Sequence, residues 1–148
     1  MIAGAGAKFF SRGDNSGIHK KEMMIWEEAG INPSGIWYIV TGDLMWPTLS
    51  RCDNEHGYFM TDSSTFIAKK TEIKNLRVLF RGDPILVNIY HALTVPEGKT
   101  TKEMYLLVCK FIGFLESEKG QDMLRDYGKE EYGFALYMDL ETARNYEQ

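Results

Sequence analysis

Short apolar runs that alternate with helical patterns are the feature that most restricts how this chain can fold. Each of the first three runs is followed by a turn rich in small polar residues and then by residues that suit the start of a helix. The predicted strands are 8–11, 37–40 and 58–60, and the predicted helices are 16–29, ended by Gly30, one with Pro47 in its first turn, and one capped within 61–64. This alternation predicts an α/β fold in which helices flank a mostly parallel sheet.

The second half of the sequence predicts two more strands and a long helix. Residues 76–80 and 85–95 have strand character and are separated by an Arg-Gly-Asp-Pro turn. Residues 102–127 have the longest helical pattern, and a break at 117–120 divides it into two helices. The apolar tail 132–137 lacks periodicity and is expected to pack along the body of the protein. A chain of 148 residues fits a single domain, 1–148.

Composition excludes several classes of function. A net charge of -4 argues against a nucleic-acid partner, which needs a basic face. No apolar run approaches the roughly 20 residues of a membrane span, and residues 1–7 lack the basic region of a secretory signal peptide. Cys52 is expected to be semi-exposed and Cys109 to be a core thiol; whether they form a disulfide stays open.

The segment from Arg12 to His19 has the character of an anion-binding turn. It places a fixed cation, Arg12, beside Asn15, Ser16 and Gly17, where a helix begins directly after a strand. The first N–H groups of a helix have no partner within it and carry partial positive charge, so small oxyanions bind there. Ser16 either caps the helix or donates its hydroxyl to a ligand. A purely structural helix cap is the competing interpretation of the segment.

Two further turns have the same position after a predicted strand. Because the carboxyl ends of parallel strands meet at one edge of a sheet, all three turns are expected to converge where ligands of open α/β folds bind. The predicted ligand-binding residues are Arg12, Asn15, Ser16, Gly17, Thr41, Gly42, Thr61 and Asp62. No catalytic or metal-binding set is predicted, because the histidines lack partners at ligand spacing and Glu22, Glu27 and Glu28 are interpreted as a solvated helix face. The protein is therefore not expected to be an enzyme.

A series of short motifs runs in order from Ser11 to Gln121. The motifs are Ser11-Arg12-Gly13-Asp14-Asn15-Ser16-Gly17, His19-Lys20-Lys21-Glu22, Trp37-Tyr38, Thr41-Gly42, Met45, Thr48-Leu49, Gly57-Tyr58, Thr61-Asp62, Gly82-Asp83-Pro84, Asn88, Tyr90 and the segment from Glu118 to Gln121. Together they resemble the second lobe of bacterial tungstate-binding proteins of ABC transporters, in the type II periplasmic solute-binding group, and the resemblance covers nearly everything from Ala3 to about Asp139. The resemblance implies a ligand-side lobe at 8–87, followed by a returning strand, a long helix and a tail at 88–148.

The resemblance also implies a function and a location. It implies an extracytoplasmic module, periplasmic or on the cell surface, that binds tungstate or a similar oxyanion without a cofactor and delivers it to a membrane permease. Arg12 and Ser16-Gly17 would be the residues by which this lobe binds the oxyanion, with Thr61-Asp62 nearby. Two positions depart from the family: Ile18 replaces its usual threonine, and Asp43 replaces part of a glycine-rich stretch. Asp43 either faces the cleft, where it repels an anion, or caps the next helix.

The family's first lobe has no counterpart in this sequence. An apolar surface formed by Ile89, Leu93, Phe111 and the tail is therefore expected to be exposed. Such a surface predicts a homo-oligomer, for example by exchange of the C-terminal arm. The alternative function is an interaction or sensor lobe that keeps the fold, binds no ligand and oligomerises.

Overall fold

A computed structural model describes residues 2–146. In this part of the chain the strands are β1 (Phe9–Ser11), β2 (Tyr38–Val40) and β3 (Tyr58–Phe59). The helices are α1 (Gly17–Glu28), α2 (Met45–Asn54), α3 (Ser63–Ala68), α4 (Lys102–Glu116), α5 (Glu118–Asp126), α6 (Lys129–Tyr132) and α7 (Leu140–Arg144). The chain forms two compact units, Met1–Asn88 and Ile89–Gln148.

The first unit is built on a parallel sheet with the strand order β2-β1-β3. The central strand is β1, in which Phe9 lies opposite Tyr38 on one side and opposite Tyr58 on the other. Because β2 and β3 add to opposite sides of β1, right-handed connections place α1 and α2 on opposite faces of the sheet. The α/β class, the parallel sheet and the three strand–turn–helix units are confirmed.

The α2 face of the sheet contains the most deeply buried side chains. Phe10, Leu49 and Cys52 are each no more than 1% exposed. The backbone before β3 approaches so closely that a Cβ on Gly57 would overlap the Phe10 ring. The prediction of a semi-exposed Cys52 is wrong, because this residue lies three positions after Leu49 and so shares its buried helix face. Burial raises the pKa of the Cys52 thiol to about 12.

The α1 face of the sheet is covered by aromatic rings that surround a buried carboxylate. Phe9 and Trp26 meet edge to face with their ring centroids 5.0 Å apart. Glu22, one turn before Trp26, is 3% exposed and accepts hydrogen bonds from the Tyr38 hydroxyl at 2.7 Å and the Trp26 indole N–H at 3.3 Å. Burial raises the pKa of Glu22. The interpretation of Glu22 as part of a solvated face is therefore wrong, whereas the other two glutamates of that prediction are exposed.

The two strands predicted at 76–80 and 85–95 are absent from the described structure, so that prediction is wrong. At the start of the first of these segments, the carboxylate of Asp53 accepts hydrogen bonds from the backbone N–H groups of residues 74–76 at 2.7 to 3.1 Å. A single turn of 3-10 helix, Pro84–Leu86, begins the second. An apolar run becomes a strand only where a neighbouring strand offers hydrogen bonds, and the run itself does not reveal that neighbour.

The second unit begins its helical part with α4 and α5, which are separated by Ser117 alone. The Ser117 hydroxyl donates to the carbonyl of Phe114 at 2.6 Å and accepts from the N–H of Gly120 at 3.2 Å. Ser117 thus ends one helix and caps the next. A Cβ on the buried Gly120 would overlap the Phe114 carbonyl oxygen, which adds to the reasons for a bend here. The predicted break at 117–120 is confirmed.

The tail of the second unit folds back onto α5. The N–H of Leu136 donates to the carbonyl of Tyr127 at 2.9 Å, and the Tyr137 ring lies 5.8 Å from the Tyr127 ring. Arg125 on α5 pairs with Asp139 at 3.0 Å. The N–H of Leu140 also donates to Oε1 of Gln121 on α5 at 2.6 Å, so the tail and the residues after it pack within the second unit.

Many apolar side chains of the second unit are accessible. Leu93 is 84% exposed, Phe111 is 58% exposed and Phe134 is 65% exposed, whereas Ile89 is half-buried. No residue of α4 is fully buried, so Cys109 on this helix is half-buried and the prediction of a core thiol is wrong. Both cysteines are free. Among residues 2–146, no helix combines the length and apolar character needed to cross a membrane.

Candidate anion-binding site

The three predicted turns follow strands whose carboxyl ends lie at one edge of the sheet. The strands β1, β2 and β3 end at Ser11, Val40 and Phe59, and the turns after them open α1, α2 and α3. In an open parallel sheet the ligand crevice forms where the direction of winding reverses, which in this strand order lies between β1 and β3. The topology therefore favours the turn after β1, one of the two that border this crevice.

In the turn after β1, a carboxylate of the protein lies between a guanidinium and the start of a helix. Asp14 Oδ2 accepts a hydrogen bond from Nη2 of Arg12, and Asp14 Oδ1 accepts one from the N–H of Ser16 at 3.1 Å. Arg12 Nε donates to the backbone carbonyl of Asp43 at 3.3 Å, so that the guanidinium is held from two sides. Only 14% of the Arg12 side chain and 24% of the Asp14 side chain are exposed.

The pKa of Asp14 reflects these neighbours. Desolvation acts to raise this pKa, but hydrogen bonds from Ser16 and the positive charge of Arg12 together hold it below its usual value of 3.8. Asp14 is therefore ionised at neutral pH. The turn already binds one oxyanion, the carboxylate of its own side chain, through a cation and a helix-start N–H group.

The first turn of α1 leaves two backbone donors unpaired. The Ser16 hydroxyl oxygen accepts from the N–H of His19 at 3.4 Å, so that its interpretation as a cap is confirmed. Asn15, with a φ of +59°, donates its N–H to Nδ1 of His19 at 2.9 Å. Within residues 2–146, the N–H groups of Gly17 and Ile18 donate to no acceptor. These two N–H groups are the ones that a bound anion can use.

Asn88 also lies beside the start of α1, and it was not predicted as a ligand-binding residue. Its carboxamide oxygen and nitrogen would stand 3.1 and 3.4 Å from a Cβ placed on Gly17, so the glycine leaves the space that the amide occupies. A carboxamide nitrogen is a donor that suits an oxyanion. The only signal for Asn88 in the sequence was its place among the ordered motifs.

The turn after β2 uses its threonine within the protein. The Thr41 hydroxyl donates to the carbonyl of Ser11 at 3.2 Å or shares its hydrogen with the Thr48 hydroxyl at 2.7 Å. It also accepts from the N–H of Asp43 at 3.3 Å. Ser11 and Thr48 are fully buried. Thr41 is thus surrounded by protein partners that bind the second turn to the end of β1.

Gly42 and Asp43 brace the Arg12 turn through their backbones. The N–H of Gly42 donates to the carbonyl of Arg12 at 2.9 Å, while the carbonyl of Asp43 accepts from the guanidinium. The N-cap of α2 is Leu44, and no side chain caps this helix. The interpretation of Asp43 as a helix cap is therefore wrong.

The turn after β3 directs its carboxylate to its own helix. Asp62 caps α3, because its Oδ1 accepts from the N–H of Thr65 and from the hydroxyl of Ser64, each at 2.6 Å. The Thr61 hydroxyl donates to the carbonyl of Asp62 at 3.3 Å. The structure brings these residues to the predicted edge of the sheet, and their role toward a ligand stays a prediction.

The donors of the Arg12 turn suit a small oxyanion, although Asp14 already engages two of them, the Arg12 guanidinium and the Ser16 hydroxyl. They are a guanidinium, the two unpaired N–H groups of α1 and the hydroxyl hydrogen of Ser16, which together supply positive charge and directed hydrogen bonds. Among residues 2–146, no group of three or more His, Cys, Asp or Glu side chains could hold a metal ion. The parallel α/β fold and this turn, together with the family and the solved structures that the chain matches, define the class of protein as an α/β lobe of the type II periplasmic binding protein fold.

The chain belongs to the PBP superfamily, whose domain model matches residues 2–119. It is 41% identical over 130 residues to a protein of Haloferax volcanii provisionally named as an ABC transporter anion-binding protein, an alignment that covers 85% of this chain and 38% of the relative. It is 35% identical over 130 residues to the tungstate-binding protein TupA of Peptoclostridium acidaminophilum, covering 88% of this chain and 45% of the relative. The predicted resemblance to tungstate-binding proteins is confirmed.

Solved structures give the same assignment. The tungstate-binding protein TupA from Desulfovibrio alaskensis matches with a TM-score of 0.68 and 34% identity, over 85% of this chain and 52% of that structure. The tungstate ABC transporter structure from Geobacter sulfurreducens matches with a TM-score of 0.66 and 32% identity, over 85% of this chain and 53% of that structure. The chain thus spans about half the length of these structures and less than half the length of the two relatives above.

Proposed function

We propose that this chain is an oxyanion-binding solute-binding module whose ligand is tungstate or a similar tetrahedral oxyanion. The observation that carries the proposal is the Asp14 carboxylate held between Arg12 and the N–H of Ser16. A site that binds its own carboxylate in this way has the charge and donors that an external oxyanion needs. The ligand would be bound by Arg12, the N–H groups of Gly17 and Ile18, and the Ser16 hydroxyl. The module would act without a cofactor or a catalytic step.

The relatives support a role in transport. Two of the similar proteins are named for tungstate binding, and two of the names include an ABC transporter. We therefore extend the proposal to delivery of the anion to a membrane permease, from a periplasmic or cell-surface location. Ile18 keeps the backbone N–H but lacks the side-chain hydroxyl of the threonine that the family resemblance implies at this position. We therefore expect the order of anion affinities to differ from that of a site with threonine.

The test is stabilisation by ligand of the native chain and of two arginine variants. Tungstate is expected to raise the melting temperature, because an anion at a thousandfold excess over its Kd stabilises the folded state by about 4 kcal/mol. Arg12→Ala is expected to lose most of that shift. Arg81→Ala is the matched control, because Arg81 begins the chain's second Arg-Gly-Asp tripeptide and lies outside the three turns.

Calorimetric titrations with tungstate, molybdate, sulfate and phosphate would then rank the ligands. The melting temperature of each variant without ligand reports whether the substitution leaves the fold intact, and Arg12→Gln provides a second variant that keeps a polar side chain. Absence of any stabilisation of the native chain by tungstate or molybdate would refute the proposal. So would an equal shift in a folded Arg12→Ala variant.

A second candidate function is an interaction lobe that oligomerises and binds no ligand. The observation that favours it is the exposed apolar surface of the second unit, where Leu93, Phe111 and Phe134 are each more than half exposed. Surfaces of this kind attract partners, and a second copy of the chain is the partner that we propose. Light scattering that shows a stable oligomer, together with calorimetry that shows no oxyanion binding, would favour this candidate over the first.

A further inference from the structure

Asp14 engages the one charged group that we assign to the ligand, the Arg12 guanidinium. Its two carboxylate oxygens engage the Arg12 guanidinium and the N–H of Ser16, the first backbone donor after the turn. The pair is partly shielded from solvent, because the side chains of Arg12 and Asp14 are 14% and 24% exposed. A charge in such a place is screened less than one on an open surface. The Arg12 charge is therefore largely neutralised before any ligand arrives.

We propose that Asp14 is an internal counter-ion that competes with the ligand for Arg12 and thereby determines the affinity of the site. The inference rests on the proposed function. An incoming oxyanion either displaces the carboxylate from Arg12 or binds beside it, and in both cases the negative charge of Asp14 opposes binding. Asp14 thus keeps the affinity below the value that the donors of the turn allow.

The competing role for Asp14 is to position the turn. The carboxylate accepts from the N–H of Ser16, as Asp and Asn side chains do in Asx turns, and it holds the guanidinium in place. Asparagine separates the two roles, because its carbonyl oxygen still accepts from the N–H of Ser16 while the side chain has no charge. A counter-ion predicts tighter ligand binding in Asp14→Asn, whereas a positioning residue predicts weaker binding.

Asp83 supplies a matched control within the same chain. It is the third residue of the second Arg-Gly-Asp tripeptide, and its Oδ1 accepts from the N–H two residues later, that of Ile85, at 3.0 Å. Asp14 makes the equivalent bond to Ser16. Asp83→Asn therefore removes one negative charge from a tripeptide of identical sequence and from the same kind of turn, but at another place in the chain.

The experiment is calorimetric titration of the native chain, Asp14→Asn and Asp83→Asn with tungstate at fixed ionic strength. We expect the Kd to fall by about tenfold in Asp14→Asn, the effect of one neighbouring charge in a partly shielded site, and to stay unchanged in Asp83→Asn. Melting temperatures without ligand verify the folds. Asp14→Ser, whose hydroxyl can also accept from a following N–H, repeats the measurement if the asparagine variant does not fold.

The outcomes separate this inference from the proposed function. If the native chain binds tungstate and the folded Asp14 variants bind it no more tightly, the counter-ion role is refuted and the proposed function stands. If only the Asp14 variants bind, the counter-ion role is supported, and the native chain is not a tungstate-binding module under those conditions. If neither binds, both proposals are refuted. A gain of the same size in Asp83→Asn would also refute the counter-ion role, because it would reflect net charge alone.

Discussion

Replacing Asp53 by alanine is expected to destabilise the first unit, because one buried carboxylate fixes the segment that follows α3. Asp53 is 5% exposed and accepts the backbone N–H groups of Lys74, Asn75 and Leu76 at 3.1, 2.7 and 2.8 Å. The Asn75 carboxamide also donates to the Asp53 backbone carbonyl at 3.1 Å. Loss of the carboxylate thus releases three donors at once.

The magnitude follows from those three bonds. A hydrogen bond to a charged group contributes about 1.5–3 kcal/mol, but the contributions do not add, and the released donors of Lys74 and Asn75 can bind water because both residues are exposed. We therefore expect Asp53→Ala to cost about 2–3 kcal/mol. Asp53→Asn should cost roughly half as much, because its single carbonyl oxygen can keep the Asn75 and Leu76 bonds while its NH₂ group faces the N–H of Lys74.

The pKa of Asp53 gives this contribution a defined pH dependence. Burial acts to raise the pKa, but the three backbone N–H groups outweigh it and hold the pKa below 3.8. As pH falls, the unfolded chain therefore binds the proton first, and stability decreases. The contribution of Asp53 is complete above the unfolded value of 3.8 and is lost as pH falls through the folded value.

Urea unfolding measured by tryptophan fluorescence tests this reasoning, because all three tryptophans, Trp26, Trp37 and Trp46, lie in the first unit. The stability difference between the native chain and Asp53→Asn should be smaller at about pH 3 than at about pH 7. Asp43→Asn, which removes an exposed carboxylate from the same unit, is the control. A loss below about 0.5 kcal/mol in Asp53→Ala, or a difference that does not change with pH, would refute the role assigned to Asp53.

Three further predictions concern buried groups. Glu22→Gln should leave the free energy of unfolding within about 1 kcal/mol of the native value near pH 7, because glutamine keeps an acceptor oxygen. Because burial raises the Glu22 pKa above 4.5, the native chain should lose stability relative to this variant as pH rises above that value. A thiol reagent should modify Cys109 and not Cys52 in the folded protein, because Cys52 is fully buried with a pKa raised to about 12, and both should react in urea. Gly57→Ala should cost about 1–3 kcal/mol, measured by urea unfolding, because its new methyl group would overlap the buried Phe10 ring.

Each of these predictions has a control in the same chain. Glu22→Ala removes the acceptor as well as the charge, and equal losses in the two Glu22 variants would contradict the first prediction. Cys109→Ser should abolish labelling of the folded protein, and any remaining label would contradict the second. Gly113→Ala introduces a methyl group into open space on a helix and should not destabilise the protein. An equal loss at Gly113 and Gly57 would contradict the third.

The fold was predictable from the sequence where local patterns and long-range pairing agree. The strand–turn–helix units around β1, β2 and β3 have strong turn residues at fixed places, and a parallel sheet is the usual way to combine such units. The strands expected at 76–80 and 85–95 had the right composition but no pairing partner. The Asp53 carboxylate fixes the backbone at the start of the first of these segments. The three donors that it binds are backbone N–H groups, which every residue type except proline has, so the sequence does not indicate this contact.

The sequence predicted where the residues of the candidate site lie, but it predicted few of the contacts that these residues make. Arg12 and Ser16 lie where the turn pattern placed them, because a helix start after a strand is encoded within a few residues. The pairing of Arg12 with Asp14 depends on side-chain directions that a one-dimensional pattern does not contain. The same is true of Thr41, whose hydroxyl has protein partners from β1 and α2.

The single residue between α4 and α5 determines how far the second unit can extend. A continuous helix over the 25 residues from Lys102 to Asp126 would be a rod of about 37 Å, whereas α4 alone reaches about 22 Å and α5 about 13 Å. The Ser117 hydroxyl bonds to both helices, and the absence of a side chain at Gly120 allows the second helix to begin against the end of the first. The Ser117 hydroxyl and the missing side chain of Gly120 thus divide what would be one long rod into two shorter helices.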